Sequence, residues 1–210
     1  MIKTEEGKRL SEGEIKVLLD NVIILIDTRE QKNKHITDYL DKRGIEWQSQ
    51  KLESGDYSIK TKANENIGLP EITLENLCCV ERKKTLDELI GNLTSGRDRF
   101  FREFERFNGK LVVVVEENSY KDVVTQNYRS RMNPVALNKS IMKLSSDYGS
   151  EVVWFNCKRD KEQVAIWVLT WASPSQLGFL IHGRGRLQSF ARTGRGCDAH
   201  TWHTGTLRKH

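Results

Sequence analysis

The sequence predicts an α/β fold, a sheet flanked by helices, and three observations carry that prediction. Val22-Ile23-Ile24-Leu25-Ile26 is a continuous apolar run that ends at once in Asp27-Thr28-Arg29-Glu30, as a strand buried on both faces would. A second apolar run, Leu77-Cys78-Cys79-Val80, leads into Glu81-Arg82-Lys83. After residue 77, strand-like and helix-like segments alternate as far as Trp171, which is the pattern of helices packed on a sheet.

Each element follows from local chemistry. Ser11-Glu12-Gly13-Glu14 fits a capping box and predicts a short helix from Glu12 to Asp20. After the strand carrying Asp27, Ile36, Tyr39 and Leu40 recur at helical spacing between Asn33 and Arg43, and Gly44 stops the helix. Ile45 to Leu52 reads as a strand leading to a turn at Gly55, and Asp56 opens the next strand. Residues 60–76 are polar, include Pro70 and read as a variable loop.

Thr85 and Glu88 form a second capping-box match, which places Asp87 in the first turn of a helix with the stripe Leu86, Leu89, Ile90 and Leu93. A helix over Arg99–Phe107 turns Phe100, Phe104 and Phe107 inward, and Leu111–Val115 is a central strand ending at Glu116-Glu117. Pro134–Tyr148 is helical, with Val135, Leu137, Ile141, Met142 and Leu144 as its apolar set. Glu151–Phe155 is the last strand and Asp160–Trp171 the last helix.

Chemistry gathers at the ends of these strands. Side chains alternate along a strand, so Glu81 and Lys83 point to one face and can converge on one site, while Arg82 points to the other. Sites in open α/β sheets collect at the carboxyl ends of strands, where Asp27 and Glu81 both fall. With Asp56, these carboxylates are enough for Mg²⁺, which is usually held by one or two acids, waters and substrate phosphate. A lysine beside them suits a bound water or a developing phosphate charge.

Asp27-Thr28-Arg29-Glu30, Gly55-Asp56-Tyr57 and Glu81-Arg82-Lys83-x-x-x-Asp87 together resemble the nuclease domain of XPF-type structure-specific endonucleases. Ser95-Gly96-Arg97-Asp98-Arg99-Phe100 is similar to the family segment after the active-site helix. The resemblance covers roughly Asn21 to Ala172. It implies a restriction-endonuclease-like core, a central mixed sheet flanked by helices, that cuts branched DNA such as flaps and forks with Mg²⁺ or Mn²⁺. Asp56, Glu81 and Lys83 fill the signature positions, Arg82 and Asp87 match further active-site residues, and Asp27 matches the first-strand acid. It also implies pairing through the nuclease domain as a homodimer or heterodimer, and a role in repair, recombination or replication. Relatives continue into a helix-hairpin-helix module; this chain reads instead as a short nuclease-only member of the kind carried by phages and mobile elements.

Three segments are expected: a charged arm over 1–20, the nuclease domain over 21–172, and a disordered tail over 173–210. The net charge of +5 invites a nucleic-acid reading, yet residues 173–210 hold five arginines and one lysine against one aspartate. The first 172 residues balance 28 basic against 28 acidic side chains. DNA contact is therefore expected from local arginines, Arg29, Arg97 and Arg99, on the phosphate backbone. Cys197, His200 and His203 in the tail make only three clustered zinc-type ligands, too few for a closed structural site. The adjacent Cys78 and Cys79 read as packing thiols, and four cysteines do not suggest a disulfide framework. No apolar run approaches the ~20 residues of a membrane span. A cytoplasmic setting is expected, in a bacterial or phage-infected cell, or a nuclear one in a eukaryote.

Overall fold

The computed structural model describes residues 21–65 and 70–156, together with Ser11, Gly13, Glu14, Val17 and Gly68. Within them the order is β1 (Val22–Asp27), α1 (Lys34–Lys42), β2 (Trp47–Gln50), β3 (Tyr57–Thr61), β4 (Ile72–Thr73), β5 (Cys78–Lys83), α2 (Leu86–Leu93), α3 (Arg97–Arg106), β6 (Lys110–Val115), α4 (Tyr120–Val124), α5 (Pro134–Tyr148) and β7 (Glu151–Trp154). The expected helix over Asp160–Trp171 and the tail lie outside the described residues.

The strands form one sheet in the order β2-β1-β3-β5-β6-β7, with β4 added to β3. β1 is parallel to β2, and β5, β6 and β7 are mutually parallel. β3 runs against both β1 and β5. This mixed sheet has a functional consequence. The start of β3 lies at the same end of the sheet as the carboxyl ends of β1, β5 and β6, so Asp27, Asp56, Glu81–Lys83 and Glu116 are delivered to one edge.

Alternation along the strands divides the core. Ile24, Ile26, Tyr57, Ile59, Cys78, Val80, Val112 and Val114 pack with Ile36, Tyr39 and Leu40 of α1. Cys79, Val113 and Val115 face the other way, against Leu89 and Leu93 of α2, Phe100 and Phe104 of α3, and Leu137 and Leu144 of α5. Each fully buried Leu, Ile or Phe contributes about 1.5–3 kcal/mol, so the two layers hold the sheet edge rigidly.

Capping follows the sequence closely. Glu14 N–H donates to Ser11 Oγ at 3.3 Å and Ser11 N–H to Glu14 Oε2 at 2.8 Å, completing the expected box. Thr85 caps α2 through Glu88 N–H at 3.3 Å, although Glu88 returns its carboxylate to Lys84 N–H, one residue outside the box. Asn133 caps α5, with Pro134 in its first turn and Gly149 in the left-handed region (φ 63°) at its end.

Several expectations are corrected. Residues 60–76 are not wholly a loop: β3 runs to Thr61, and Ile72 and Thr73 pair with it. The strand expected over 45–52 shortens to Trp47–Gln50. α3 begins at Arg97 rather than Arg99, Phe101 is buried with Phe100 and Phe104, and Phe107 is the partly buried C-cap. α4 was unforeseen, though Ser119 and Asp122 form its capping box. Val135 and Met142 are exposed at 63% and 51%; the apolar stripe of α5 is satisfied by Leu137, Ile141 and Leu144 alone.

Candidate active site

Asp56 is fixed by the backbone before its side chain acts. Its N–H donates to Val80 O at 2.7 Å and its carbonyl accepts from Asp27 N–H at 2.8 Å, so it joins β5 to β1. Gly55 makes this possible. It sits at φ 70°, and a Cβ there would lie 2.8 Å from Cys79 Cβ and 3.0 Å from Val80 O, a conformation and a space that only glycine tolerates. Asp56 Oδ2 accepts from Arg82 N–H at 2.7 Å.

Glu81 and Lys83 share a face of β5, as alternation requires, with Lys83 Nζ 2.5 Å from Glu81 Oε1. Both are buried, and Lys83 Nζ also lies 5.5 Å over the Phe100 ring of α3. Burial and the neighbouring Glu81 charge push the Asp56 carboxyl up to about 8. Burial also raises Glu81, with Lys83 opposing and Glu103 adding to the rise. Lys83 is raised as well, because Glu81 and Asp56 outweigh the effect of its burial. The site thus holds two acids that resist being ionised together and one firmly charged lysine. A divalent cation would relieve that repulsion, so the donor set fits one.

Asp27 is differently placed. Its Oδ1 accepts from Arg29 N–H and Nε at 2.7 Å each, and its Oδ2 from Arg29 Nη2 and Leu52 N–H at 2.8 Å each. Burial works to raise its carboxyl, but the Arg29 and Leu52 donors overcome this and hold it below its ordinary value. Its main chain meets Asp56 while its carboxylate is spent on four donors. Among the described residues no three His, Cys, Asp or Glu side chains converge as a metal-holding group, Asp27, Asp56 and Glu81 included. Arg29, expected on DNA, is committed to Asp27 and to Leu52 O at 2.9 Å, although its side chain remains 64% exposed.

Arg82 turns to the other face, toward α1. Its Nε donates to Glu116 Oε2 at 2.9 Å, its Nη2 reaches the same oxygen, and its Nη1 lies 3.6 Å from Glu30 Oε1. His35 Nε2 is 2.9 Å from the other Glu116 oxygen. Burial opposes the ionisation of Glu116, but His35 and Arg82 hold its carboxyl low. The Tyr57 hydroxyl is buried without a hydrogen-bond partner, in the field of Glu30, Arg82, Asp56 and Glu116. Sequence reading missed this cluster. The signal was present: Glu116 follows an apolar strand directly, just as Asp27 does.

The remaining candidates lie on α2 and α3. Asp87 Oδ1 accepts from Arg129 N–H at 2.8 Å, so it ties α2 to the segment before α5. Arg97 stacks over Phe101 at 4.6 Å and lines a groove with Arg102, Lys143 and Tyr148. Arg99 is exposed on α3. Glu103, also on α3, accepts from Gly55 N–H through Oε1 at 3.0 Å.

With the geometry in place, comparison with known proteins decides the family. The ERCC4 domain model matches residues 26–165, more than half of the chain. The chain belongs to the ERCC4 domain family. The same fold is found in XPF from Aeropyrum pernix, at 21% identity and a TM-score of 0.52 over 73% of this chain and 64% of that one. A structure described as XPF from Aeropyrum pernix in complex with DNA matches at 20% identity and a TM-score of 0.51, over 74% of this chain and 66% of that one. The chain therefore spans slightly less than two thirds of either relative. None of the curated proteins matches significantly. In this ERCC4 domain the described residues contain no helix long and apolar enough to cross a membrane.

Proposed function

We propose that this ERCC4 domain is a metal-dependent, structure-specific DNA endonuclease that hydrolyses phosphodiester bonds near branch points such as flaps and forks. One observation carries the reading. Two carboxylates, the half-buried Asp56 and the buried Glu81, lie at the carboxyl edge of a mixed sheet, with Lys83 bonded to Glu81. Asp56 and Glu81 would hold Mg²⁺ or Mn²⁺. When bound, such an ion supplies Lewis-acid polarisation of the phosphoryl oxygen and lowers the pKa of a coordinated water.

The chain's own residues supply the rest. Lys83 stays charged in a dry setting, where its field on a water or on a developing phosphoryl charge is strongest. Its ammonium contacts both Glu81 and the Phe100 ring. Arg82 acts through its backbone N–H, which orients the Asp56 carboxylate, while its guanidinium neutralises Glu116 and Glu30. Arg97 and Arg99, on α3 beside the site, would take the DNA backbone. In-line attack would leave a 5′-phosphate and a 3′-hydroxyl. The XPF relative seen with DNA supports DNA as the partner. A non-catalytic partner subunit is disfavoured, because Asp56, Glu81 and Lys83 are all retained.

The test is direct. Labelled flap, fork, four-way and plain duplex DNA are incubated with the protein in Mg²⁺ or EDTA, with Asp56→Ala alongside. Mg²⁺-dependent cutting near branches that is lost in Asp56→Ala supports the proposal. Preference for the four-way substrate would assign junction resolution instead, and absence of metal-dependent cutting on every substrate would refute the enzyme.

A further inference from the structure

We infer that Glu103 is a positioning residue for Asp56, holding the Gly55-Asp56 turn from the helix layer. The inference rests on the reading of Asp56 as part of a cation-dependent nuclease site. Two main-chain bonds tie Asp56 to β1 and β5. The preceding amide, Gly55 N–H, donates to Glu103 Oε1 at 3.0 Å, across 48 residues of sequence. The turn has little freedom to find another acceptor, since Gly55 is pressed against Cys79 and Val80. A carboxylate acceptor makes the bond charge-assisted and stronger than a neutral one.

Glu103 is itself held in place. Phe100 and Phe104 flank it on α3, both buried, with ring centroids 5.0 Å apart in an edge-to-face pair. These anchors present Glu103 to the turn at a fixed point. The same helix meets Lys83 through Phe100. α3 therefore touches both halves of the site, Lys83 by a ring and the Asp56 turn by an acid. Outer groups that orient a metal-binding carboxylate typically matter 10–100-fold in metal affinity or activity, and a similar effect, roughly 10–100-fold, is expected here.

Positioning needs only an acceptor oxygen at Oε1, whereas a cation ligand needs the negative charge. Glu103→Gln keeps the oxygen and removes the charge; Glu103→Met keeps the length and removes both. Three quantities are read: kcat on a labelled flap, the Mg²⁺ concentration for half-maximal cutting, and amide hydrogen exchange at Gly55 by NMR without metal. Glu103→Met is expected to lower kcat and raise the Mg²⁺ requirement, roughly 10–100-fold in combination, and to speed Gly55 exchange. Glu103→Gln is expected to stay within a few-fold of wild type on all three. Cutting lost equally in both variants, or Gly55 exchange unchanged in Glu103→Met, would overturn the inference. Should Glu103→Met fail to fold, Glu103→Gln decides alone: retained cutting and Gly55 protection support positioning, and lost cutting overturns it. A wild-type protein that cuts nothing counts against the nuclease reading, and the Gly55 exchange rates then decide the positioning contact by themselves.

Discussion

Arg82→Met separates a structural arginine from one that touches the reaction. The guanidinium and the Glu116 carboxylate are 4% and 1% exposed, and Glu30 lies on the other side at 12%. Removing the arginine leaves Glu116 buried with only His35 facing it and strips Glu30 of its counter-ion. Breaking a buried pair from one side costs about 3–5 kcal/mol, a large share of the ~5–15 kcal/mol that stabilises an ordinary domain. Urea unfolding followed by tryptophan fluorescence measures the loss. Adding Glu116→Gln to Arg82→Met removes the stranded charge and is expected to recover part of the stability, a coupling of about 0.5–3 kcal/mol. A variant within ~1 kcal/mol of wild type that nevertheless cuts nothing would refute this account, placing Arg82 at the reacting phosphate instead.

Further outcomes follow from the Asp56 turn. Gly55→Ala forces a left-handed residue and a Cβ 2.8 Å from Cys79 Cβ; a loss of about 2–4 kcal/mol is expected in thermal or urea melts, with cutting reduced further than stability explains. The Asp56 carboxyl is pushed from 3.8 up to about 8 by burial and Glu81. Between those values the folded state keeps a proton that the unfolded state has released, so this group's contribution to stability falls as pH rises through that window. A bound cation must displace the proton, so calorimetry in buffers of different ionisation enthalpy is expected to show release of about one proton near pH 7. Mg²⁺ should likewise raise the melting temperature more near pH 8.5 than near pH 6, and equal shifts at both would contradict the assignment.

What was legible in the sequence is what local chemistry dictates. Two apolar runs ending in acids gave β1 and β5, and side-chain alternation gave the shared face of Glu81 and Lys83. The same alternation sent Arg82 to the opposite face, but not to Glu116 and Glu30, because pairing across 34 residues is a property of β6 lying beside β5. Asp27 shows the limit most clearly. Its position at a strand end was readable, whereas its four hydrogen bonds depend on Arg29 folding back and on Leu52 arriving from beyond β2. Glu103 carried no sequence signal at all, since its partner is a backbone amide. β4 and α4 were missed because each is short, with too few residues to establish a period.

The rate of flap cleavage in Mg²⁺ by Lys83→Ala and Glu81→Ala, beside wild type, tests the central claim most directly. The account predicts Mg²⁺-dependent cutting by wild type and a loss of at least ~100-fold in each variant, of the size seen when a charge-stabilising donor is removed. Cutting that survives both substitutions would place the chemistry elsewhere than the sheet edge that holds Asp56, Glu81 and Lys83.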